Sequence, residues 1–347
     1  MKNNNNTARK EYYDVLNRIW KSNRELSELK YFLDTAYEHS DNKDRSPKVV
    51  ILGTNVPEEL IIAAGAKPYW ITGGSLTAIS WSDDLVPRDT DPLSRSILGF
   101  INEPNGVDFS QSLFIIPLTC DSMRKIAYQL KAEGRKICIV DIPPDKKDKH
   151  SSEMFKRQLL EMTRAVSKHT GTHITRRSVL NAVKQVSDAR RSLHSFNNIY
   201  PNNKKIITDS AKALVRSSYY MTDSLSDWSV HLERLINEIE LQNDKYTAEY
   251  DNRPKIVLAG SPIVFPNYKI PFLIEDIGLS ISDAVDPSEL KAQIFYNRKA
   301  FRGGLEKLIC NIADVYYSFN ASCAFVKNDV FYEYIVNTIR QSGRKSF

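Results

Sequence analysis

The chain has 347 residues, of which 41% are apolar and 26% charged, and this composition indicates a globular protein of two or three domains rather than a disordered one. The net charge of +6 is modest and its basic residues are spread along the chain, which argues against a nucleic-acid-binding protein. No apolar stretch reaches the length of a membrane span and no signal peptide is visible, so we expect a cytoplasmic protein without membrane attachment.

The first predicted unit is a helical segment, residues 1–47, in which apolar residues at three- and four-residue steps predict one amphipathic helix over residues 9–37. In residues 48–150, short apolar segments then alternate with helical ones, which predicts a parallel sheet with helices on both faces. The predicted strands are 48–53, 67–72, 113–117 and 136–141, and the predicted helices are 57–65 and 122–133.

Helical periods dominate residues 151–252, which we expect to form an all-helical connector. The alternation of strands and helices returns in residues 253–347. The predicted strands there are 255–260, 279–282 and 313–319, and the predicted helices are 268–276, 292–309 and 329–341. The pattern therefore predicts the α/β class, with two doubly wound, Rossmann-like parallel-sheet domains joined by helices.

Cys120 follows the predicted strand 113–117 just where a helix begins. Open α/β sheets place ligands at the carboxyl ends of their strands, and a helix N-terminus favours the thiolate that binds metal. A lone cysteine at such a place is more often a small buried apolar residue. Cys323, however, follows the predicted strand 313–319 in the same way, and this repetition favours metal ligation at both cysteines. We expect Cys138 and Cys310 to pack in the core.

Four short motifs resemble those of the 2-hydroxyacyl-CoA dehydratase D-component family, which includes benzoyl-CoA reductase subunits and double-cubane iron–sulfur proteins. Residues 56–68, VPEELIIAAGAKP, resemble its P-x-E-L/I-x-x-A-x-G-x-x-P signature, and residues 119–125, TCDSMRK, resemble T-C-D-x-x-x-K. Residues 91–100, DPLSRSILGF, resemble C-P-L-x-K/R-S-x-x-G-F/Y, and residues 314–323 resemble a strand that ends at a further cysteine.

The resemblance implies a 4Fe–4S cluster held by one residue from each of three segments. In this chain those residues are Cys120, Cys323 and Asp91, where Asp91 stands in place of the family's cysteine. A carboxylate can bind iron but is a harder ligand than a thiolate, so we expect a labile cluster, or none. Glu59 matches the signature's glutamate, which implies a catalytic role in proton transfer; the alternative is a first-turn residue favoured by the helix dipole. We expect Glu58 to be a solvated charge.

The implied function is that of a dehydratase subunit, a hydro-lyase of anaerobic metabolism. In the family, an ATP-dependent iron–sulfur activator protein supplies one electron, and a 2-hydroxyacyl-CoA loses water through a ketyl radical. The implied partners are a second family subunit, in a heterodimer, or a second copy in a homodimer. Two alternatives stay open: a cluster-free, non-catalytic paralogue or scaffold subunit, and a reductase of the benzoyl-CoA reductase or double-cubane kind. The family's last strand is missing here, which leaves either a fragment or a second sheet without its final strand.

Overall fold

The structure is a computed structural model that describes residues 6–41, 46–199, 206–245, 253–285, 294–297, 301–319, 327 and 329–344. Its first elements are two helices, α1 (Asn6–Ser22) and α2 (Leu29–Asp41), where the periodicity predicts a single one. Asn23 explains the break. Its side-chain amide donates to the carbonyl of Ile19 at 2.7 Å, and its carbonyl accepts from the amide of Thr208 at 2.9 Å. This buried contact with a distant segment ends α1.

A four-stranded parallel sheet follows, as the sequence predicts, in the order β2-β1-β3-β4. Its strands are β1 (Val49–Ile51), β2 (Pro68–Trp70), β3 (Leu113–Leu118) and β4 (Lys136–Asp141). Alternate residues of β1 belong to two separate apolar cores, so the sheet is covered on both faces. The strand order reverses between β1 and β3, and the crevice beside such a reversal is where open α/β sheets bind ligands.

Three helices connect these strands: α3 (Glu58–Ala63), α4 (Pro92–Ile101) and α5 (Asp121–Ala132). The sequence predicts α3 and α5 but leaves residues 73–112 as a loop, whereas the structure has α4 and a short 3₁₀ helix, Ala78–Ser82, in this region. The two pack closely because Gly99 has no side chain. A Cβ atom at Gly99 would lie 1.8 Å from the carbonyl oxygen of Ala78.

Long helices then dominate, as the periodicity predicts: α6 (Lys149–Thr170), α7 (Arg176–Asn198), α8 (Asp209–Ser218) and α9 (Leu225–Lys245). Gly171, with φ +69°, ends α6, and a reciprocal pair of hydrogen bonds between Thr175 and Ser178 begins α7. Within the described residues, no helix combines the length and the apolar composition that a membrane span requires.

The last part of the chain contains β5 (Lys255–Ala259), α10 (Lys269–Asp276), β6 (Ser280–Val285), α11 (Leu305–Phe319) and α12 (Asp329–Arg344). β5 and β6 form a parallel pair, so the α/β class is confirmed, but the described residues do not establish a second Rossmann-like domain.

Two predictions for this part are wrong. Residues 313–319 are helical rather than a strand, and residues 294–297 of the predicted helix 292–309 are not helical. The buried side chains of α11 recur with the helical period, and that packing outweighs the strand preference of Val315, Tyr316 and Tyr317. The buried positions of α11 are Leu308, Ile309, Ile312, Ala313, Tyr316 and Tyr317.

Candidate functional site

Cys120 lies where the sequence predicts it, between β3 and α5 at the carboxyl edge of the sheet. It is the N-cap residue of α5, with an extended backbone (φ −163°, ψ 172°), and its side chain makes no capping hydrogen bond. The residue is partly exposed. A thiol at this point lies at the N-terminal end of a twelve-residue helix, where backbone N–H groups point outward.

Asp91 lies next to the same helix start. Its backbone amide donates to the hydroxyl of Ser122 at 3.4 Å, so the segment that begins α4 touches the first turn of α5. One carboxylate oxygen of Asp91 accepts from the amide of Ser94 at 2.9 Å, which makes Asp91 the N-cap of α4. The structure therefore brings the Asp91 and Cys120 segments together, with part of the Asp91 carboxylate engaged as a helix cap.

Cys323, the third predicted ligand, lies outside the described residues. The helix that leads towards it, α11, ends at Phe319 against the loop that follows β4. The hydroxyl of Tyr317 is 3.1 Å from the carbonyl oxygen of Pro143, and the ammonium of Lys146 donates to the carbonyl of Ser318 at 3.3 Å. The end of β4 pairs with the end of β3, so this loop is at the same edge of the sheet as Cys120.

The donor set tests whether the described residues fit an iron–sulfur cluster. They supply one thiol, from Cys120, and one carboxylate, from Asp91, at adjoining helix starts. In the part of the chain that the structure describes, no group of three His, Cys, Asp or Glu residues could hold a metal ion. The described residues alone therefore do not complete a cluster site.

The other two cysteines are both partly buried. Cys138 packs against the core in β4, as predicted, and burial raises the pKa of its thiol to about 11. Cys310 lies within α11. Burial also raises the pKa of Cys310.

Glu58 and Glu59 belong to a group that we call the buried carboxyl network. The network consists of Glu58, Glu59, Arg190, Tyr219, Tyr296 and Tyr316. Glu58 is 1% exposed and Glu59 0% exposed, so the prediction that Glu58 is solvated is wrong. The first turn of α3 points into the protein because a buried guanidinium, 132 residues further along the chain, meets Glu58 there.

On the Glu58 side, the guanidinium Nη2 of Arg190 donates to Oε1 of Glu58 at 2.9 Å. The hydroxyl of Tyr219, at the end of α8, donates to the same oxygen at 2.7 Å. Oε2 of Glu58 lies 3.1 Å from the hydroxyl of Tyr316 in α11. Glu58 therefore has a direct cationic partner and two phenol partners.

On the Glu59 side, the hydroxyl of Tyr296 donates to Oε1 at 2.7 Å, and the hydroxyl of Tyr316 lies 2.8 Å from Oε2. The nearest cationic atom, Nη1 of Arg190, is 3.4 Å from Oε1. Burial raises the pKa of Glu59, and the neighbouring Glu58 raises it as well, against the lowering effect of Arg190. Glu59 therefore favours its neutral form more than an exposed glutamate does.

The sequence contains no motif for the partners of these two carboxyls, because they come from four separate elements. One signal does exist. Val183, Val186, Arg190 and Leu193 follow one another at steps of three, four and three residues. A charged residue therefore stands on the apolar face of α7. Such a residue is almost never fully buried without a partner of opposite charge.

A cavity of about 30 Å³ lies at the carboxyl end of β2, beside the turn Gly73–Gly74. It is lined by Tyr12, His39, Trp70, Ser96 and Phe265, among others. This volume holds about one or two water molecules rather than an acyl-CoA thioester.

Comparison with known proteins agrees with the sequence motifs. The model of the family described as 2-hydroxyglutaryl-CoA dehydratase, D-component, matches residues 53–345. A protein of Escherichia coli (strain K12), with the provisional name dehydratase subunit YjiM, is 26% identical over 246 residues, 69% of this chain and 62% of its own length. The (R)-phenyllactyl-CoA dehydratase beta subunit of Clostridium sporogenes is 25% identical over 186 residues, 53% of this chain and 49% of its own length.

The chain thus spans between about half and three fifths of the length of these two relatives, each of which is named as a dehydratase subunit. The match of the family model begins just after β1 and covers the other three strands of the sheet, the Cys120 and Asp91 segments, the buried carboxyl network and the helices that follow. On this evidence the chain belongs to the 2-hydroxyglutaryl-CoA dehydratase D-component family.

Proposed function

We propose that the chain is the iron–sulfur subunit of a 2-hydroxyacyl-CoA dehydratase-type enzyme, a hydro-lyase that removes water from a 2-hydroxyacyl-CoA. The observation that carries the proposal is the position of Cys120: a partly exposed thiol at a helix start, beside the point where the strand order reverses. Ligands and cofactors of open α/β sheets bind at such points. Family membership supports the reaction class.

The residues that would hold the cluster are Cys120, Asp91 and Cys323. Cys323 is included because the family resemblance implies it, and it follows the end of α11 at Phe319 by four residues in the sequence. When bound, the cluster supplies one-electron chemistry to the substrate. The chain's own part is to supply the sulfur of Cys120 at the start of α5 and a carboxylate oxygen of Asp91 at the adjoining helix start.

The proposal includes partners. Both relatives are named as subunits, which supports a second family subunit as the partner of this chain. An ATP-dependent iron–sulfur activator is the source of the electron that the family resemblance implies. The acyl-CoA is the substrate. A cytoplasmic location accompanies this proposal, because thiolate ligands need a reducing compartment.

Iron binding after anaerobic reconstitution tests the proposal. We expect Cys120→Ser to lose the iron and Cys138→Ser, the matched control within the neighbouring strand, to keep it. Equal iron in the two variants would mean that Cys120 is not a ligand.

A second candidate is a cluster-free, non-catalytic paralogue that pairs with an active subunit. The observation that favours it is the N-cap bond of Asp91, which gives one of its two carboxylate oxygens a structural role. Under this candidate the wild-type chain stays colourless after reconstitution and Asp91→Cys gains iron. Iron in the wild-type chain excludes it.

A further inference from the structure

We infer that the buried carboxyl network holds one dissociable proton on Glu59, and that Arg190, Tyr296 and Tyr316 are positioning residues that present Glu59 as a neutral acid. The inference deepens the proposed function and rests on it where activity is concerned. A carboxyl held neutral at physiological pH can donate a proton, which a carboxylate cannot.

The first argument is the balance of charge. Two carboxyl groups and one guanidinium meet at a place where the residues carrying them are at most 1% exposed. If both carboxyls were ionised, these described residues would carry two negative charges and one positive charge. Burial of excess charge is expensive, and the usual outcome is that a group binds a proton instead. Counted over the described residues, the charges favour one ionised and one neutral carboxyl.

The second argument is the number of hydrogens. The hydroxyl of Tyr316 has one hydrogen, yet it lies 3.1 Å from Oε2 of Glu58 and 2.8 Å from Oε2 of Glu59, and it also accepts from Arg190. Tyr316 can donate to only one carboxyl. A proton on Glu59 that is donated to Tyr316, together with the Tyr316 hydrogen donated to Glu58, satisfies both contacts and uses the phenol's full hydrogen-bonding capacity.

The position of Arg190 decides which carboxyl is ionised. Its Nη2 donates to Glu58 at 2.9 Å, whereas its Nη1 is 3.4 Å from Glu59. Glu58 therefore forms the ion pair and Glu59 is the neutral member. The remaining oxygen of Glu59, Oε1, accepts from Tyr296 as a carbonyl would. Burial raises the pKa of Glu59 in agreement with this assignment.

The groups that face Glu59 come from every element that contributes to the network. They are Glu58 from α3, Arg190 from α7, Tyr219 from the end of α8, Tyr296 from residues 294–297 and Tyr316 from α11. Of the network's members, Tyr296 alone is not buried, so it is the one that links Glu59 with the surface.

Infrared difference spectroscopy at pH 7 tests the protonation state without any activity measurement. We expect the carbonyl band of a protonated carboxylic acid in the wild-type chain and its loss in Glu59→Gln. The matched pair Tyr296→Phe and Tyr219→Phe then identifies which glutamate holds the proton, because Tyr296 contacts Glu59 and Tyr219 contacts Glu58. The band should shift in Tyr296→Phe and stay in place in Tyr219→Phe.

No band that depends on Glu59 at pH 7, or a band that shifts with Tyr219→Phe alone, overturns the inference. The wild-type and Glu59→Gln spectra suffice if a tyrosine variant fails to fold. In the assembled enzyme, we expect Tyr296→Phe to move the alkaline limb of the kcat–pH profile upward, since it removes a hydrogen bond that lowers the pKa of Glu59. An unmoved profile with the expected spectra would refute the proton-transfer role of Glu59 and leave its protonation state established.

Discussion

Arg190→Met is the substitution to which we expect the fold to respond most. The guanidinium is 1% exposed, donates to Glu58, to Tyr316 and to the carbonyl of Ile294, and so links α7 with α3, α11 and residues 294–297. Methionine keeps much of the volume and removes the charge and the donors. Loss of one partner of a buried ion pair costs about 3–5 kcal/mol, because the carboxyl left behind must bind a proton or stay uncompensated.

Urea unfolding at pH 7, followed by tryptophan fluorescence, measures this cost. The neighbouring residue gives the matched control, because Arg191 is 69% exposed and pairs with Asp188 at 3.0 Å on the surface. We expect Arg191→Met to change the free energy of unfolding by less than about 0.5 kcal/mol. Equal, small effects of the two substitutions would refute the view that the network joins these elements.

Three further predictions concern other parts of the chain. The raised pKa of Glu59 means that the folded chain keeps a proton that the unfolded chain releases near pH 4.5. The free energy of unfolding should therefore fall as pH rises above that value, by up to about 1.4 kcal/mol per pH unit. Glu59→Gln should remove this slope in pH-dependent unfolding, and an unchanged slope would contradict the prediction. Gly99→Ala should lower the free energy of unfolding by about 1–3 kcal/mol or more, because the new methyl group would clash with Ala78. Gly304→Ala, with open space around the new methyl group, should leave the free energy of unfolding almost unchanged. Equal shifts of the melting temperature in the two variants would contradict this. Burial raises the pKa of Cys138 to about 11, so at pH 8 roughly one thiol in a thousand is ionised, and mass spectrometry should find Cys138 alkylated only after denaturation rather than in the native chain.

Local sequence patterns predict much of this fold, because the apolar periodicity of most strands and helices lies within the element itself. The four strands of the first sheet and the helices from residue 149 to 245 have clear apolar periods. Residues 313–319 show the limit of such patterns, since Val315, Tyr316 and Tyr317 favour strands while their neighbours complete a helical apolar face. The break after Ser22 depends on Thr208, which no local pattern contains.

The candidate site also has one part that local sequence patterns predict and one part that depends on distant residues. The position of Cys120 follows from a strand and a helix that the sequence predicts, so its placement at this edge of the sheet could be predicted without the structure. The burial of Glu58 could not, because its cationic partner is 132 residues away and its phenol partners lie in two further elements. A glutamate in the first turn of a helix is usually solvated, and only the tertiary contact with Arg190 reverses that preference.

The central claim is that Cys120 helps to hold an iron–sulfur cluster. Iron and acid-labile sulfide, measured on the anaerobically purified and reconstituted chain, test it most directly. The claim predicts about four iron and four sulfide ions per chain, as in a 4Fe–4S cluster, and their loss in Cys120→Ser. A chain that binds no iron after reconstitution, or one whose iron is unchanged in Cys120→Ser, would contradict it.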